Sequence, residues 1–252
     1  GAKTGVGGHL PGHKVTREIA EVRGLNPGEA AISPPSFEDL TTIEEFRKFG
    51  DKVRKTTGGI PVGFKIAASH IEDDLRFAVQ AGADYIILDG RGGGTGAAPA
   101  ILRDNINVPT IPALDRARNY LDSVGAKHIS LIITGGLRIA DDFTKALMLG
   151  ADAVAISNSA LQAIGCIGMR ACNTNNCPVG IATQKEHLRA RLQIQASAKQ
   201  LSNFLIASNE LIKVLARACG YDDIAKFHKE DLSTLDFKMH QLAGIRFAGI
   251  YD

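Results

Sequence analysis

Three cysteines lie close together in the second half of the sequence, in a C-x5-C-x4-C pattern followed by proline. They are Cys166, Cys172 and Cys177, in the segment GCIGMRACNTNNCPVGIATQ. Thiolates are soft ligands that suit iron–sulfur clusters, and small and polar residues between them let the three sulfurs converge. Because there are three ligands and not four, the pattern predicts a three-iron cluster.

Other uses of these cysteines remain alternatives. Structural zinc usually has four ligands in paired spacings, whereas the nearest histidine, His187, lies ten residues beyond Cys177. Three buried free thiols are a second alternative. A disulfide is a third, although it would leave one thiol of the group over. Cys219 lies far downstream in a helical pattern and is predicted to be a core residue.

The elements that must position this segment alternate short apolar runs with amphipathic stretches, as parallel βα units do. The five predicted strands are Ala30–Ser33, Pro61–Ala67, Tyr85–Asp89, Ile129–Thr134 and Ala153–Ser157. The predicted helices between them are Ile43–Thr56, Ile71–Ala81, Ala113–Val124 and Ile139–Leu149. After the cysteines, residues 184–217 are predicted to be mostly helical, ending near Gly220, and a further short helix is predicted to be capped at Ser233.

The fold class expected from this order is α/β, in the form of the C-terminal portion of a (β/α)8 TIM barrel with about five of the eight strands. We expect a partial barrel in residues 1–165, a cysteine segment in residues 166–190 and a helical extension in residues 191–252, packed outside the barrel. A doubly wound open sheet is the alternative, although its GxGxxG fingerprint is absent. A partial barrel leaves two sheet edges unpaired, so we expect another polypeptide to supply the missing strands.

Composition narrows the class of ligand. The 252 residues are 44% hydrophobic and 22% charged, with 29 basic and 27 acidic residues and a formal net charge of +2. Without a basic block or a long apolar run, neither nucleic acid nor a membrane is predicted as a partner. Clustered reduced thiols and the lack of a recognisable signal peptide indicate a cytoplasmic protein with a small-molecule ligand.

Several polar and glycine residues fall at predicted strand ends, where parallel barrels bind ligands. Gly135 and Gly136, with the turn at Ser157 and Asn158, offer backbone N–H groups and hydroxyls for a phosphate, although ordinary strand–helix turns use the same residues. The segment from Asp89 to Pro99 is DGRGGGTGAAP, which must admit a ligand or a neighbouring backbone.

Two lysines are candidates for contact with a ligand. Lys65, near the end of an apolar strand, could neutralise electron-rich ring atoms, unless its side chain simply extends to solvent. Lys3, among glycines, could meet a carboxylate substrate, or it could be a solvated terminal lysine. His9, His13 and His70 are assigned no chemistry.

Together these motifs resemble the flavin-binding synthase domain of glutamate synthase, including its archaeal-type and N-methylglutamate synthase-like members. The segments GAKTGVGGHLPGHKV, AISPP, DGRGGGTGAAP, TGGL and GCIGMRACNTNNCPVGIATQ occur in family order over roughly residues 1–190. The cysteine segment with its CPVGIATQ tail is the most specific of them.

The resemblance implies a (β/α)8 barrel that holds FMN beside a 3Fe-4S cluster. By matching position, the resemblance implies that Lys65 contacts the flavin and that Cys166, Cys172 and Cys177 bind the cluster. The cofactor is implied to be held by one loop and two turns: Asp89, Gly90, Gly94, Thr95 and Gly96 in the loop, and Gly135, Gly136, Ser157 and Asn158 in the turns. Lys3 is implied as the catalytic lysine that faces the substrate. The implied reaction passes electrons through the cluster and FMN to 2-iminoglutarate, formed from 2-oxoglutarate and ammonia, to give L-glutamate.

The implied partners are 2-oxoglutarate, ammonia or an amine donor, a ferredoxin or an NAD(P)H-oxidising subunit, and a glutamine amidotransferase subunit. This chain departs from the family at Val6, His9, Ser36 and Phe37, where the family has polar residues. An N-methylglutamate synthase-like enzyme, or an electron-relay or scaffold subunit that has lost the substrate site, is therefore the alternative function. A cofactor-free barrel fragment is the third.

Overall fold

The computed structural model describes residues 10–32, 36–94 and 98–248. Its centre is a parallel sheet of four strands in chain order. They are β1 (Gly63–Ala67), β2 (Tyr85–Asp89), β3 (Ser130–Thr134) and β4 (Ala153–Val154). Because parallel neighbours need long crossover connections, helices join each pair of strands. This is the α/β arrangement of part of a (β/α)8 barrel, as the sequence predicts.

Ten α-helices accompany the sheet within the described ranges. They are α1 (Arg17–Arg23), α2 (Ile43–Thr57), α3 (Ile71–Gln80), α4 (Ala100–Asn105), α5 (Thr110–Ser123), α6 (Ala140–Met148), α7 (Asn158–Ala163), α8 (Glu186–Arg189), α9 (Ile194–Ala218) and α10 (Phe237–Ala243). The four helices predicted among the strands are all present. Three of them have bounds within about one residue of the prediction, and the fourth, α5, begins three residues earlier than predicted. The short helix α4, between β2 and β3, was not predicted.

The two faces of the sheet differ in burial. Side chains of a strand alternate between faces, so Ile86, Leu88, Leu131 and Ile133 share one face, where all four are fully buried. They pack against the apolar sides of α3 and α5. On the opposite face, Lys65 is exposed and its register partner Ile87 is only half-buried. That half-covered face is the interior of the barrel.

The sheet ends at β1 on one side and at β4 on the other, among the residues that the structure describes. The predicted strand Ala30–Ser33 is wrong for its described residues: Ala31 instead makes an isolated antiparallel bridge with Leu10. Ser33 lies outside the described residues. The last predicted strand is shorter than expected, because the pairing with β3 stops after Val154. Within the described ranges, the central sheet therefore has four parallel strands and not five.

The C-terminal residues pack on the helices that surround the sheet. The long helix α9 contacts α6 and α7, while α10 contacts α5. Two short strands, β5 (Ser233–Thr234) and β6 (Arg246–Phe247), pair in parallel around α10. The predicted helix cap at Ser233 is wrong, because Ser233 lies in β5 and the Asp236 carboxylate accepts the N–H groups of Lys238 and Met239 at the start of α10.

None of the helices within the described ranges is long and apolar enough to cross a membrane.

Candidate functional site

A cavity of about 580 Å³ opens at the carboxyl ends of the four strands. Its size falls within the range of small-molecule and cofactor sites. Seven of the residues predicted to hold a cofactor line it: Lys65, Asp89, Gly94, Gly135, Gly136, Ser157 and Asn158. Residues from separate parts of the sequence therefore meet in one cavity.

Lys65 and Asp89 form an ion pair on the wall of this cavity. The Lys65 Nζ lies 3.5 Å from the Asp89 Oδ2, and the Asp89 side chain is 9% exposed whereas that of Lys65 is 59% exposed. The buried carboxylate at the end of β2 therefore orients a lysine from β1 that still presents most of its surface to the cavity. A cation held in this way can interact with an electron-rich ligand.

The glycines at the ends of β2 and β3 allow these two strand ends to approach closely. A Cβ on Gly135 would lie 2.6 Å from the Gly90 carbonyl oxygen and 2.8 Å from the Thr110 Oγ1. Gly135 also has a φ of 119°, which disfavours other residues. Gly90 itself packs against Thr110 and does not line the cavity. The absence of a side chain at Gly90 allows this close packing, and its predicted role at the cofactor stays a prediction.

Asn107 and Thr110 hold the strand ends together, and sequence reasoning missed both. Asn107 is buried in a left-handed conformation, and its Nδ2 donates to the Asp89 carbonyl at 3.1 Å while its Oδ1 accepts from the Ser69 hydroxyl at 3.0 Å. The buried Thr110 Oγ1 lies 2.5 Å from the Gly135 carbonyl oxygen and 3.1 Å from that of Arg91. No local pattern marks these roles, because every partner comes from another strand end.

Three ionisable side chains that line the cavity were not predicted as site residues: His70, Arg103 and Arg138. Arg138 follows the glycine pair, so its position after a strand end was a usable signal. Its backbone N–H donates to the Asp142 carboxylate at 2.8 Å, which fixes the turn into α6. Arg103 belongs to the unpredicted helix α4, which explains why it was missed. Arg138 adds positive charge to the cavity, whereas the Arg103 guanidinium is paired with the Asp104 carboxylate.

Some predicted positions lie outside the described residues. These are Lys3, Thr95 and Gly96, together with the altered family positions Val6 and His9. The predicted role of Lys3 at the substrate, and those of Thr95 and Gly96 at the cofactor, stay predictions.

The three clustered cysteines lie in one irregular segment directly after α7. All four cysteines of the chain are free thiols, so the disulfide alternative is absent from the structure. Burial first, and then the charges of Cys166 and Cys177, raise the pKa of the Cys172 thiol, while the nearby Lys14 ammonium opposes this rise. The Cys172 thiol is therefore within electrostatic reach of the other two.

Cys177 lies in a different environment. Burial raises the pKa of its thiol, but the backbone N–H groups of residues 179–182 outweigh this effect and lower the pKa below its ordinary value. The Cys166 sulfur accepts from the Gly168 N–H at 3.5 Å. Amide donors around sulfur stabilise a thiolate and tune iron–sulfur clusters.

No three His, Cys, Asp or Glu side chains within residues 10–32, 36–94 and 98–248 form a site for a single metal ion. This holds for zinc and for an iron–sulfur cluster alike, so both uses of the cysteines stay predictions. A three-iron cluster would take its protein ligands from the free thiols of Cys166, Cys172 and Cys177. The free thiols, the amides around Cys177 and the nearby cation fit such a cluster.

Two short connections join the cysteine segment to the cavity. The first residue of α7, Asn158, lines the cavity, and the six residues of this helix rise about 9 Å before the segment begins. The second connection is through α4, which places Leu102 and Arg103 in the cavity wall. The next residue of α4, Asp104, has its pKa lowered first by Arg103 and then by the charge of Arg170, which belongs to the cysteine segment. The two candidate cofactor sites are thus neighbours.

Comparison with known proteins then decides the family. A sequence model described as the conserved region in glutamate synthase matches residues 1–222. The chain belongs to the glutamate synthase family. It is 39% identical over 99% of its length to the archaeal-type glutamate synthase (NADPH) of Thermotoga neapolitana, and 38% identical over 99% to the archaeal glutamate synthase (NADPH) of Methanocaldococcus jannaschii.

The chain spans about half the length of these two curated relatives, 50% in each case. It is also 34% identical, over 94% of its length, to the ferredoxin-dependent glutamate synthase of Cyanidium caldarium, of which it covers 15%. Among solved structures, a flavocytochrome b2 variant with sulfite bound superposes with a TM-score of 0.51 at 19% identity, covering 94% of this chain and 47% of the other. That likeness concerns the fold alone.

Proposed function

We propose that this chain forms the cofactor-binding part of a glutamate synthase-type oxidoreductase, which binds FMN in the strand-end cavity and a 3Fe-4S cluster in the cysteine segment. The observation that carries the proposal is the position of the cysteine segment. It follows α7, and the first residue of α7 lines the same cavity as Lys65 and the Gly135–Gly136 turn. Membership of the glutamate synthase family supports the same assignment.

The residues that line the cavity suit the two ends of FMN. Gly135 and Gly136 have positive φ angles, and with Ser157 and Asn158 they would bring backbone N–H groups to its phosphate. Lys65, oriented by Asp89, would neutralise negative charge on the flavin ring. When bound, FMN would supply the hydride chemistry that reduces 2-iminoglutarate to L-glutamate.

Cys166, Cys172 and Cys177 would hold the cluster, and the amides of residues 179–182 keep Cys177 ready to bind iron as a thiolate. The short connections through α7 and α4 would keep the cluster near the cavity. Electrons from the donor would therefore enter on the side of the cysteine segment. Lys3 is the residue that we propose to contact the substrate.

Further polypeptide is needed for the complete enzyme. The half-covered inner face of the sheet and its ends at β1 and β4 support a partner, or a further part of the same protein, that supplies the missing strands. The relatives are named for NADPH or for ferredoxin, so we propose an electron donor of one of these two kinds. Ammonia would come from solution or from an amidotransferase subunit.

The test is spectroscopy of anaerobically purified protein that has been produced together with the polypeptide that completes the barrel. We expect a flavin absorption spectrum and the EPR signal of an oxidised three-iron cluster. Cys172→Ser should abolish the EPR signal, whereas the matched variant Cys219→Ser should keep it, because Cys219 lies in a separate apolar cluster with Met148 and Phe227. After anaerobic reduction, 2-oxoglutarate with ammonia should reoxidise the flavin.

Other outcomes separate the alternatives. Reduction of both cofactors without reoxidation by 2-oxoglutarate and ammonia would point to an electron-relay subunit, and reoxidation only with methylamine would point to the N-methylglutamate synthase-like activity. A colourless, iron-free protein would overturn the proposal.

A further inference from the structure

Lys14 is a buried cation that contacts the cysteine segment from the other end of the described chain. It belongs to the 3-10 turn Gly12–Lys14 and is only 8% exposed. Its Nζ donates to the Cys172 carbonyl at 2.8 Å and to the Ala182 carbonyl at 3.1 Å. Lysine is rarely buried in this way without a partner of opposite charge.

The contacts of Lys14 are with neutral oxygens. None of the carboxylates in the described ranges forms an ion pair with its ammonium group. A buried ammonium without countercharge is unfavourable. Three thiolates around an iron–sulfur core carry net negative charge, and one of the three belongs to Cys172, whose own carbonyl binds Lys14. The proposed cluster would therefore provide the missing countercharge.

The backbone around Lys14 is held by local contacts. Two hydrogen bonds between Leu10 and Ala31, of 2.8 and 3.0 Å, and one of 3.1 Å from the Gly28 N–H to the Val15 carbonyl, enclose the turn. Gly12 packs so closely on the Gly28 carbonyl that a Cβ at Gly12 would overlap it. The turn is therefore a rigid base from which the lysine extends.

The two carbonyls that Lys14 binds belong to Cys172 and Ala182. The segment between these two residues contains Cys177 and the residues whose amides surround its sulfur. A second, neighbouring contact comes from His13, whose Nε2 donates to the Asn173 carbonyl at 3.1 Å. One ammonium thus joins two points of the chain that are ten residues apart and closes the loop that contains Cys177.

We propose that Lys14 is a positioning residue for the iron–sulfur cluster: its ammonium closes the loop from Cys172 to Ala182 and supplies positive charge beside the bound cluster. This inference rests on the proposed function for the presence of the cluster. The closure of the loop does not depend on the cluster, so the two can be tested separately.

The experiment compares Lys14→Met, Lys14→Arg and Lys185→Met with the wild-type protein, produced with the completing polypeptide. Lys185 is the matched control, because it is an exposed lysine whose Nζ donates to the Asn176 side chain of the same segment at 2.6 Å. The readouts are amide hydrogen exchange in residues 172–182 of cluster-free protein, iron and sulfide per chain, and the reduction potential of the cluster.

Lys14→Met should raise the exchange rate of the loop about tenfold or more, because it removes hydrogen bonds from a charged donor. It should also lower the iron content, and the potential of any remaining cluster should become more negative, because a nearby positive charge stabilises the reduced form. Lys14→Arg should restore the potential, and Lys185→Met should match the wild type in all three readouts.

Two results would overturn the inference. One is a Lys14→Met protein that equals the wild type in exchange, iron content and potential. The other is a cluster whose potential is unchanged in Lys14→Met, which would refute the role of the charge. If Lys14→Met does not fold, Lys14→Gln decides, because it keeps a hydrogen-bond donor but removes the charge: a more negative potential supports the inference, and a wild-type potential contradicts it. A wild-type protein without iron would refute the proposed function instead, while the exchange comparison would still test the closure of the loop.

Discussion

Replacing Gly135 with alanine tests whether the strand ends approach as closely as the structure shows. The new Cβ would lie 2.6 Å from the Gly90 carbonyl oxygen, 2.8 Å from the Thr110 Oγ1 and 2.9 Å from the Gly90 nitrogen. Two of these three atoms belong to the backbone, so a side-chain rotation cannot relieve the overlap. The residue would also keep a φ of 119°.

The expected cost has two parts. A non-glycine residue in such a backbone conformation costs about 1–3 kcal/mol. Insertion of a methyl group into a packed site costs about another 1–3 kcal/mol. We therefore expect Gly135→Ala to lower the free energy of unfolding by about 2–6 kcal/mol, and to weaken FMN binding, because the displaced backbone forms part of the cavity wall.

The matched control is Gly58→Ala, at the end of α2. Gly58 has a φ of 77° but no heavy atom within 4 Å of a built Cβ, so only the conformational cost of about 1–2 kcal/mol applies. Urea unfolding followed by circular dichroism gives both free energies, and the quenching of flavin fluorescence gives the affinity for FMN. If Gly135→Ala unfolds at the same urea concentration as Gly58→Ala and binds FMN like the wild type, the reasoning about the strand ends is wrong.

Three further predictions concern stability. Leu131→Ala removes a fully buried side chain from β3 and should cost about 2–5 kcal/mol in thermal or urea unfolding, whereas Val22→Ala, at an 83% exposed position, should cost less than about 0.5 kcal/mol; equal effects would contradict the assigned core. Asp115→Asn removes the ion pair in which the Lys229 ammonium lies 2.6 Å from the Asp115 carboxylate, and it should lower the free energy of unfolding by about 1–3 kcal/mol. Hydrogen exchange should then rise in residues 229–245 before it rises in the sheet. Exchange that rises uniformly would refute the role of this ion pair in attaching the C-terminal residues. Hydrogen bonds from the backbone of Thr41 and Thr42 lower the pKa of Glu45 to about 2 from its ordinary 4.5. Its carboxylate therefore contributes stability that is complete above pH 4.5 and is lost as the pH falls towards 2. Glu45→Gln should flatten the pH dependence of the free energy of unfolding within that window, and an unchanged slope would contradict the capping interaction.

Local patterns in the sequence were sufficient for most of the elements around the site. The strand Tyr85–Asp89 was predicted with the bounds that the structure shows, because a buried strand between a glycine turn and a glycine-rich loop has a distinct local composition. The helix at Ile43–Thr57 was predicted to within one residue from its amphipathic spacing. By contrast, Ala30–Ser33 has the composition of a strand, but Ala31 has only Leu10 as a bridge partner in the described residues, and composition carries no information about partners.

The candidate site divides in the same way. The sequence alone determined the candidate residues for chemistry, because Cys166, Cys172 and Cys177, the strand lysine Lys65 and the glycine turns are recognisable from residue type and spacing. Only the tertiary structure decided what holds them. Thr110 bridges two strand ends, Gly90 packs closely against Thr110, and Lys14 binds a carbonyl 158 residues away. Side-chain chemistry and local periodicity are properties of short segments, whereas these contacts join segments that become neighbours only when the sheet and its helices pack together.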